Sequence, residues 1–165
     1  MIDFISETAA NLVGTFVGVG LGLLTARSVT RRERARAETA RLQRLIDRMY
    51  RSRALALKPF TPPRTTDLDQ NERVHYDRVT RAIFGIRDLI EAAANTFDPR
   101  AKAVPVLDEM YAAVLVYLNA VEVDQRDYLN ESMRLREALL AASVKLTKLH
   151  RSLVLKEPGG IATTS

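Results

Sequence analysis

Thr8-Ala-Ala-Asn-Leu-Val-Gly-Thr-Phe-Val-Gly-Val-Gly-Leu-Gly-Leu-Leu-Thr-Ala26 runs for 19 residues without a charge. At about 1.5 Å per residue a helix of that length covers roughly 28 Å, the thickness of a bilayer's hydrocarbon core. The run reads as a single transmembrane helix. Arg27, Arg31, Arg32, Arg34 and Arg36 follow it, whereas Asp3 and Glu7 precede it. By the positive-inside rule this asymmetry puts the N-terminus outside and the rest of the chain in the cytoplasm, on the inner face of the plasma membrane. A cleavable signal peptide would carry its positive charge before the apolar run, so the flanks are the wrong way round for one. The rival reading is a Gly/Ala-rich helix in a soluble core. Its four glycines weigh against it, because each costs a water-soluble helix about 1 kcal/mol, whereas glycine is common in membrane helices.

Ala10, Gly14, Gly18, Gly22 and Ala26 recur at every fourth position and form a strip of small side chains along one face. Lipid gives helices no hydrophobic reason to associate, so close backbone approach at such strips is a main source of attraction. The strip predicts a homo-oligomer.

Among 165 residues there is no cysteine, which excludes disulfides, thiolate metal sites and cysteine nucleophiles. Arginine outnumbers lysine 20 to 5, a bias associated with GC-rich bacterial genomes. Residues 27–58 hold eleven basic and three acidic residues, so this stretch alone exceeds the chain's net charge of +5. Basicity therefore belongs to the membrane-proximal region, where it suits contact with lipid headgroups. Nucleic acid is disfavoured, since Tyr50 is the only aromatic among the arginines of 27–53.

Neither Pro nor Gly occurs between Leu23 and Lys58, so the membrane helix is expected to continue to about Leu57, burying Leu42, Leu45, Ile46, Met49, Tyr50 and Leu57. Three prolines in Lys58–Thr66 make a stiff connector. Pro59-x-x-Pro62-x-Arg64 has the form of a ligand for proline-recognising domains, but helix-ending loops produce it freely. A second helix, capped at Asp67 and running from Leu68 to Phe97, carries Tyr76, Val79, Ile83, Ile86, Ile90, Ala93 and Phe97 at alternating three–four spacing. Asp98-Pro99 and Pro105 predict a turn over 99–103 and a third helix from about Pro105. That helix is expected to bury Leu107, Tyr111, Val114, Leu118 and Val121, and a fourth to bury Leu135, Leu139, Ala142, Leu146, Leu149 and Leu153. The three–four series also continues in phase across 121–130, so one helix over 105–156 is the alternative. Asp124, Asp127 and Asn130, each able to cap a new start, favour the split.

Chemistry has little to work with. His75 and His150 are the only histidines and neither has a partner set for a catalytic triad. Glu72-x-x-His75 is half of a bundle di-metal motif, and its second half is missing because Thr147 precedes His150. No phosphate-binding loop or dinucleotide fingerprint occurs.

The expected fold is all-α: a transmembrane anchor at 1–27, a cytosolic antiparallel helical bundle at 28–157 with four helices, or three if 105–156 is unbroken, and a disordered tail at 158–165. No cofactor, metal or catalytic residue is assigned. The favoured function is a non-enzymatic, self-associating scaffold or regulatory subunit, with membrane lipid, a second copy and an unidentified protein as partners. The alternatives are a holin-like or defence effector that perturbs the membrane, and a binder of anionic lipid or nucleic acid through Arg27–Arg53.

Overall fold

The computed structural model describes residues 32–56 and 70–160, in which all regular structure is helical. The chain divides into two compact units, Met1–Ala37 and Glu38–Ser165. Of the first, residues 32–37 are described, and they are helical and exposed. The expected membrane span, its small-residue strip, the proline connector and the cap at Asp67 lie outside the described residues.

In the Glu38–Ser165 unit four helices pack together. The first, α1, covers 38–51 of this unit and buries Leu42, Leu45, Ile46 and Met49, as its spacing predicts, with Tyr50 half-buried. It stops at Arg51, short of the expected Leu57. The Met49 carbonyl, which a continuing helix would give to the amide four residues on, instead accepts from Ser52 N–H at 3.1 Å and from the distant Gly159 N–H at 2.9 Å. The chain then tightens into a 3₁₀ turn at Arg53–Leu55 that buries Leu55.

Helix α2, Gln70–Ala94, buries Val79, Ile83, Ile86, Ile90 and Ala93. Phe97 is also buried, and Tyr76 packs against the core half-buried, so the predicted seam is the observed one. The turn before the next helix is tied by Asp98, whose carboxylate accepts from Arg100 N–H at 2.9 Å. Helix α3, Val104–Val123, has Pro105 in its first turn, where the missing amide hydrogen has no helical partner to lose. Its seam differs from expectation: Met110 and Tyr117 are buried, while Tyr111 and Leu118 are only half-buried. Asp124 is extended and its carboxylate accepts from Arg126 N–H, opening a 3₁₀ turn at Gln125–Asp127 that separates α3 from α4, Tyr128–Leu149. The single-helix alternative over 105–156 is thereby ruled out. Glu109, early in α3, pairs with Lys145, late in α4, at 2.5 Å, as antiparallel neighbours do.

Helix α4 buries Leu135, Leu139, Ala142 and Leu146, but Leu149 is exposed at its last turn and Leu153 is buried only beyond the helix end. Past His150 the chain turns back as a strap against α1. Gln43 and Val154 exchange two hydrogen bonds, of 2.8 and 3.2 Å. Lys156 donates to Asp47 at 2.7 Å, and its hydrogen bond, with that of Gln43, holds the Asp47 carboxyl below its usual range. Being lowered, that carboxyl contributes to strap docking at neutral pH and loses the contribution as pH falls through the depressed value. Arg136, buried in α4, donates to the Pro158 carbonyl at 2.9 Å and pairs with Glu157 at 3.0 Å. Pro158, Gly159 and Gly160 are all buried. The tail expected from 158 onward is thus packed over its first three residues, and residues 161–165 lie outside the described ones.

Candidate functional site

Where α1 ends and the 3₁₀ turn begins, the start of α2 stands opposite, and the two enclose a cleft of about 580 Å³. Arg48, Arg51 and Arg53 line it from one side, and Arg78, Arg81 and His75 from α2. The spacing explains the second set, since His75, Arg78, Ala82 and Gly85 follow one helical face at steps of three and four. The floor is apolar, made by Ala54, Val79, Ala82 and Ile86.

Among the described residues no acidic side chain lines this cleft. Among the described residues the ion pairs use other cations, namely Arg87, Arg126, Arg134, Arg136, Lys145 and Lys156. Asp47, one helical turn before Arg51, is taken by Lys156 and Gln43. Five guanidiniums therefore share one opening with none in an ion pair to a described carboxylate, Asp47 attracting Arg51 only at longer range, and their mutual repulsion favours the entry of an anion.

Gly85 lies inside α2, where glycine costs a helix about 1 kcal/mol relative to alanine. A Cβ at this position would meet no atom within 4 Å, so packing does not demand the glycine. What the missing side chain leaves is room in the cleft.

His75, the half-motif histidine, is held by Tyr128: its Nδ1 and the Tyr128 hydroxyl are 2.9 Å apart and the rings 5.6 Å apart. Among the described residues no three His, Asp or Glu side chains are gathered for a metal ion. Of the sequence-predicted site residues, Ala10, Gly14, Gly18, Gly22, Ala26, Arg27 and Arg31 lie outside the described residues, while Arg32, Arg34 and Arg36 are helical and exposed. None of these three lines the cleft. Sequence alone places Arg48, Arg51 and Arg53 in the Arg27–Arg53 stretch and gives no role to the arginines of α2. The available signal was Gly85, a helix-breaking residue kept in the middle of the most regular helix and on the face of His75 and Arg78.

A second feature faces solvent. Helix α3 is long and apolar enough to cross a membrane by length and composition, yet one face of it is in the bundle core. Its outer face carries Ala112, Leu115, Val116, Asn119 and Val123, with Val116 65% and Val123 89% exposed. A buried Tyr117 hydroxyl faces the Thr80 hydroxyl between α2 and α3 without a hydrogen bond of ordinary geometry, and burial pushes the Tyr117 phenol well above its usual value. That pair is packing rather than chemistry, since Tyr117 is only 1% exposed. No protein-family model matches the chain, and no curated protein or solved structure matches it either.

Proposed function

We propose that the chain is a non-enzymatic, self-associating scaffold or regulatory subunit, anchored through residues 8–26 and presenting its helical bundle at the cytoplasmic face of the plasma membrane. The observation that carries this reading is the outer stripe of α3. A helix that buries one apolar face and exposes a second, with Leu115, Val116 and Val123 in solvent, is equipped to pack on both sides. The small-residue strip Ala10, Gly14, Gly18, Gly22, Ala26 supports self-association from the sequence side, with a second copy as the partner.

Chemical crosslinking in native membranes tests it with three variants. Val116→Lys places a charge in the middle of the exposed stripe, and Gly18→Ile places a branched side chain where backbones would touch. Both should reduce the crosslinked dimer by at least about fivefold, the effect of losing roughly 1 kcal/mol of association. Val19→Ile, about 100° round the helix from Gly18, should leave the dimer unchanged. A dimer yield identical to the parent in both disruptive variants would contradict association through these two surfaces, and absence of a crosslinked dimer in the parent would contradict self-association. Collapse of the membrane potential on expression would instead favour the membrane-perturbing role.

A further inference from the structure

We propose that the arginine cleft between the end of α1 and the start of α2 is a binding site for a ligand bearing two or more clustered phosphate groups. The inference does not depend on the scaffold reading, because every residue it uses lies within the Glu38–Ser165 unit.

Charge comes first. Arg48, Arg51, Arg53, Arg78 and Arg81 converge from two chain segments, no acidic residue among the described ones shares the lining, and all five are exposed to an incoming molecule. A guanidinium stays protonated at any physiological pH and presents a planar fork that matches phosphate oxygens in pairs. Carboxylates satisfy the same fork, but each brings a single negative charge, so balancing five arginines would take about five of them in one cleft. Two or three phosphates supply that charge in a much smaller volume.

Size and lining narrow the class further. At about 580 Å³ the cleft is in the range of small-molecule sites and exceeds what one inorganic phosphate fills. Its floor of Ala54, Val79, Ala82 and Ile86 accepts an apolar body behind the charged groups. Apart from His75 no ring among the described residues lines it, so these residues offer none of the stacking platforms on which single-stranded nucleic acid is held. Gly85 keeps the floor open at a cost to helix stability that packing does not explain.

Clustered phosphates can arrive free in solution or on a lipid headgroup, and the two sources are distinguished by experiment. Calorimetric titration of the full chain in phosphatidylcholine nanodiscs with inorganic tripolyphosphate tests the free source. Flotation of the same nanodiscs with vesicles of phosphatidylcholine and cardiolipin, which carries two phosphates, tests the lipid source, with vesicles of phosphatidylcholine alone as the control. Saturable binding in either assay that weakens with salt is expected.

Three variants read out the site. The double variant R78Q/R81Q should weaken binding about tenfold or more, since both lost contacts are charge-assisted. G85L should weaken it by a similar factor without altering charge, because it fills the cleft where a side chain meets no protein atom. R100Q/R151Q removes the same charge from exposed positions outside the lining and should change affinity by less than about twofold, the residual effect of long-range charge. Far-ultraviolet circular dichroism identical to the parent confirms that each variant is folded. Absence of saturable binding in both assays would overturn the proposal, as would equal weakening in the cleft and control double variants, or unchanged binding in G85L. Binding of an acidic peptide in preference to both phosphate probes would overturn it in favour of a protein partner.

Discussion

Ile90→Ala is expected to destabilise the Glu38–Ser165 unit by about 2–5 kcal/mol, whereas Leu89→Ala, at the adjacent position, should cost about 1 kcal/mol or less. The contrast follows from α2 alone. Ile90 is fully buried within the core cluster, and Leu89 is 40% exposed. Truncating Ile90 loses the transfer free energy of three carbons and leaves a cavity that the surrounding helices fill only in part. A domain of this size is stable by only about 5–15 kcal/mol, so one such cavity removes a large share of the total. Urea unfolding of residues 38–165, followed by circular dichroism, measures both. Equal shifts for the two variants would mean that α2 does not face the core along Val79, Ile83, Ile86 and Ile90.

Gly159→Ala should detach the C-terminal strap, at a cost of about 2–4 kcal/mol, for two reasons that act at the same residue. Gly159 has φ +72°, a left-handed conformation that an alanine side chain resists. Its added Cβ would also stand 2.2 Å from the Leu55 carbonyl oxygen and 2.5 Å from the Ala56 amide nitrogen, and backbone cannot swing aside as a flexible side chain can. Once the strap lifts, Met49 loses the 2.9 Å bond from Gly159, and Arg136 is left buried without Pro158 and Glu157. The same substitution at Gly85 should act with opposite sign, stabilising by up to about 1 kcal/mol, because the position is mid-helix and a Cβ there meets nothing. Unfolding midpoints of the two glycine variants decide the point. A destabilised Gly85→Ala, or a neutral Gly159→Ala, would show that the strap and the cleft are not built as described.

Much of the bundle was legible because periodicity and capping agreed. In α2 the unbroken three–four series lets the seam be followed residue by residue from Tyr76 to Phe97, although Val74, Phe84 and Leu89 stand exposed outside it. The break between α3 and α4 was signalled by Asp124, whose short acceptor turns the chain. In α3 the same method slipped, since the series Leu107, Tyr111, Val114, Leu118, Val121 and the observed Leu107, Met110, Val114, Tyr117, Val121 both have three–four spacing and both are apolar. The outer stripe with Leu115 and Val116 is the reason: with few polar residues to exclude a face, spacing alone does not choose between neighbours. The strap was hidden for a different cause. Pro158-Gly159-Gly160 has the composition of a free end, and the demand for glycine comes from Leu55 and Tyr50, which are about a hundred residues away in the chain. The cleft was likewise divided between two segments, neither of which looks like more than a charged helix face until they are brought together.

The proposed placement of the bundle in the cytoplasm on an N-terminal anchor is open to cysteine labelling, because the chain has no cysteine of its own. Arg100→Cys puts a single thiol on the exposed turn between α2 and α3. In intact cells this thiol should be protected from a membrane-impermeant maleimide and should react fully after permeabilisation. Labelling of the intact cells to the same extent would place the bundle on the outside and contradict the account.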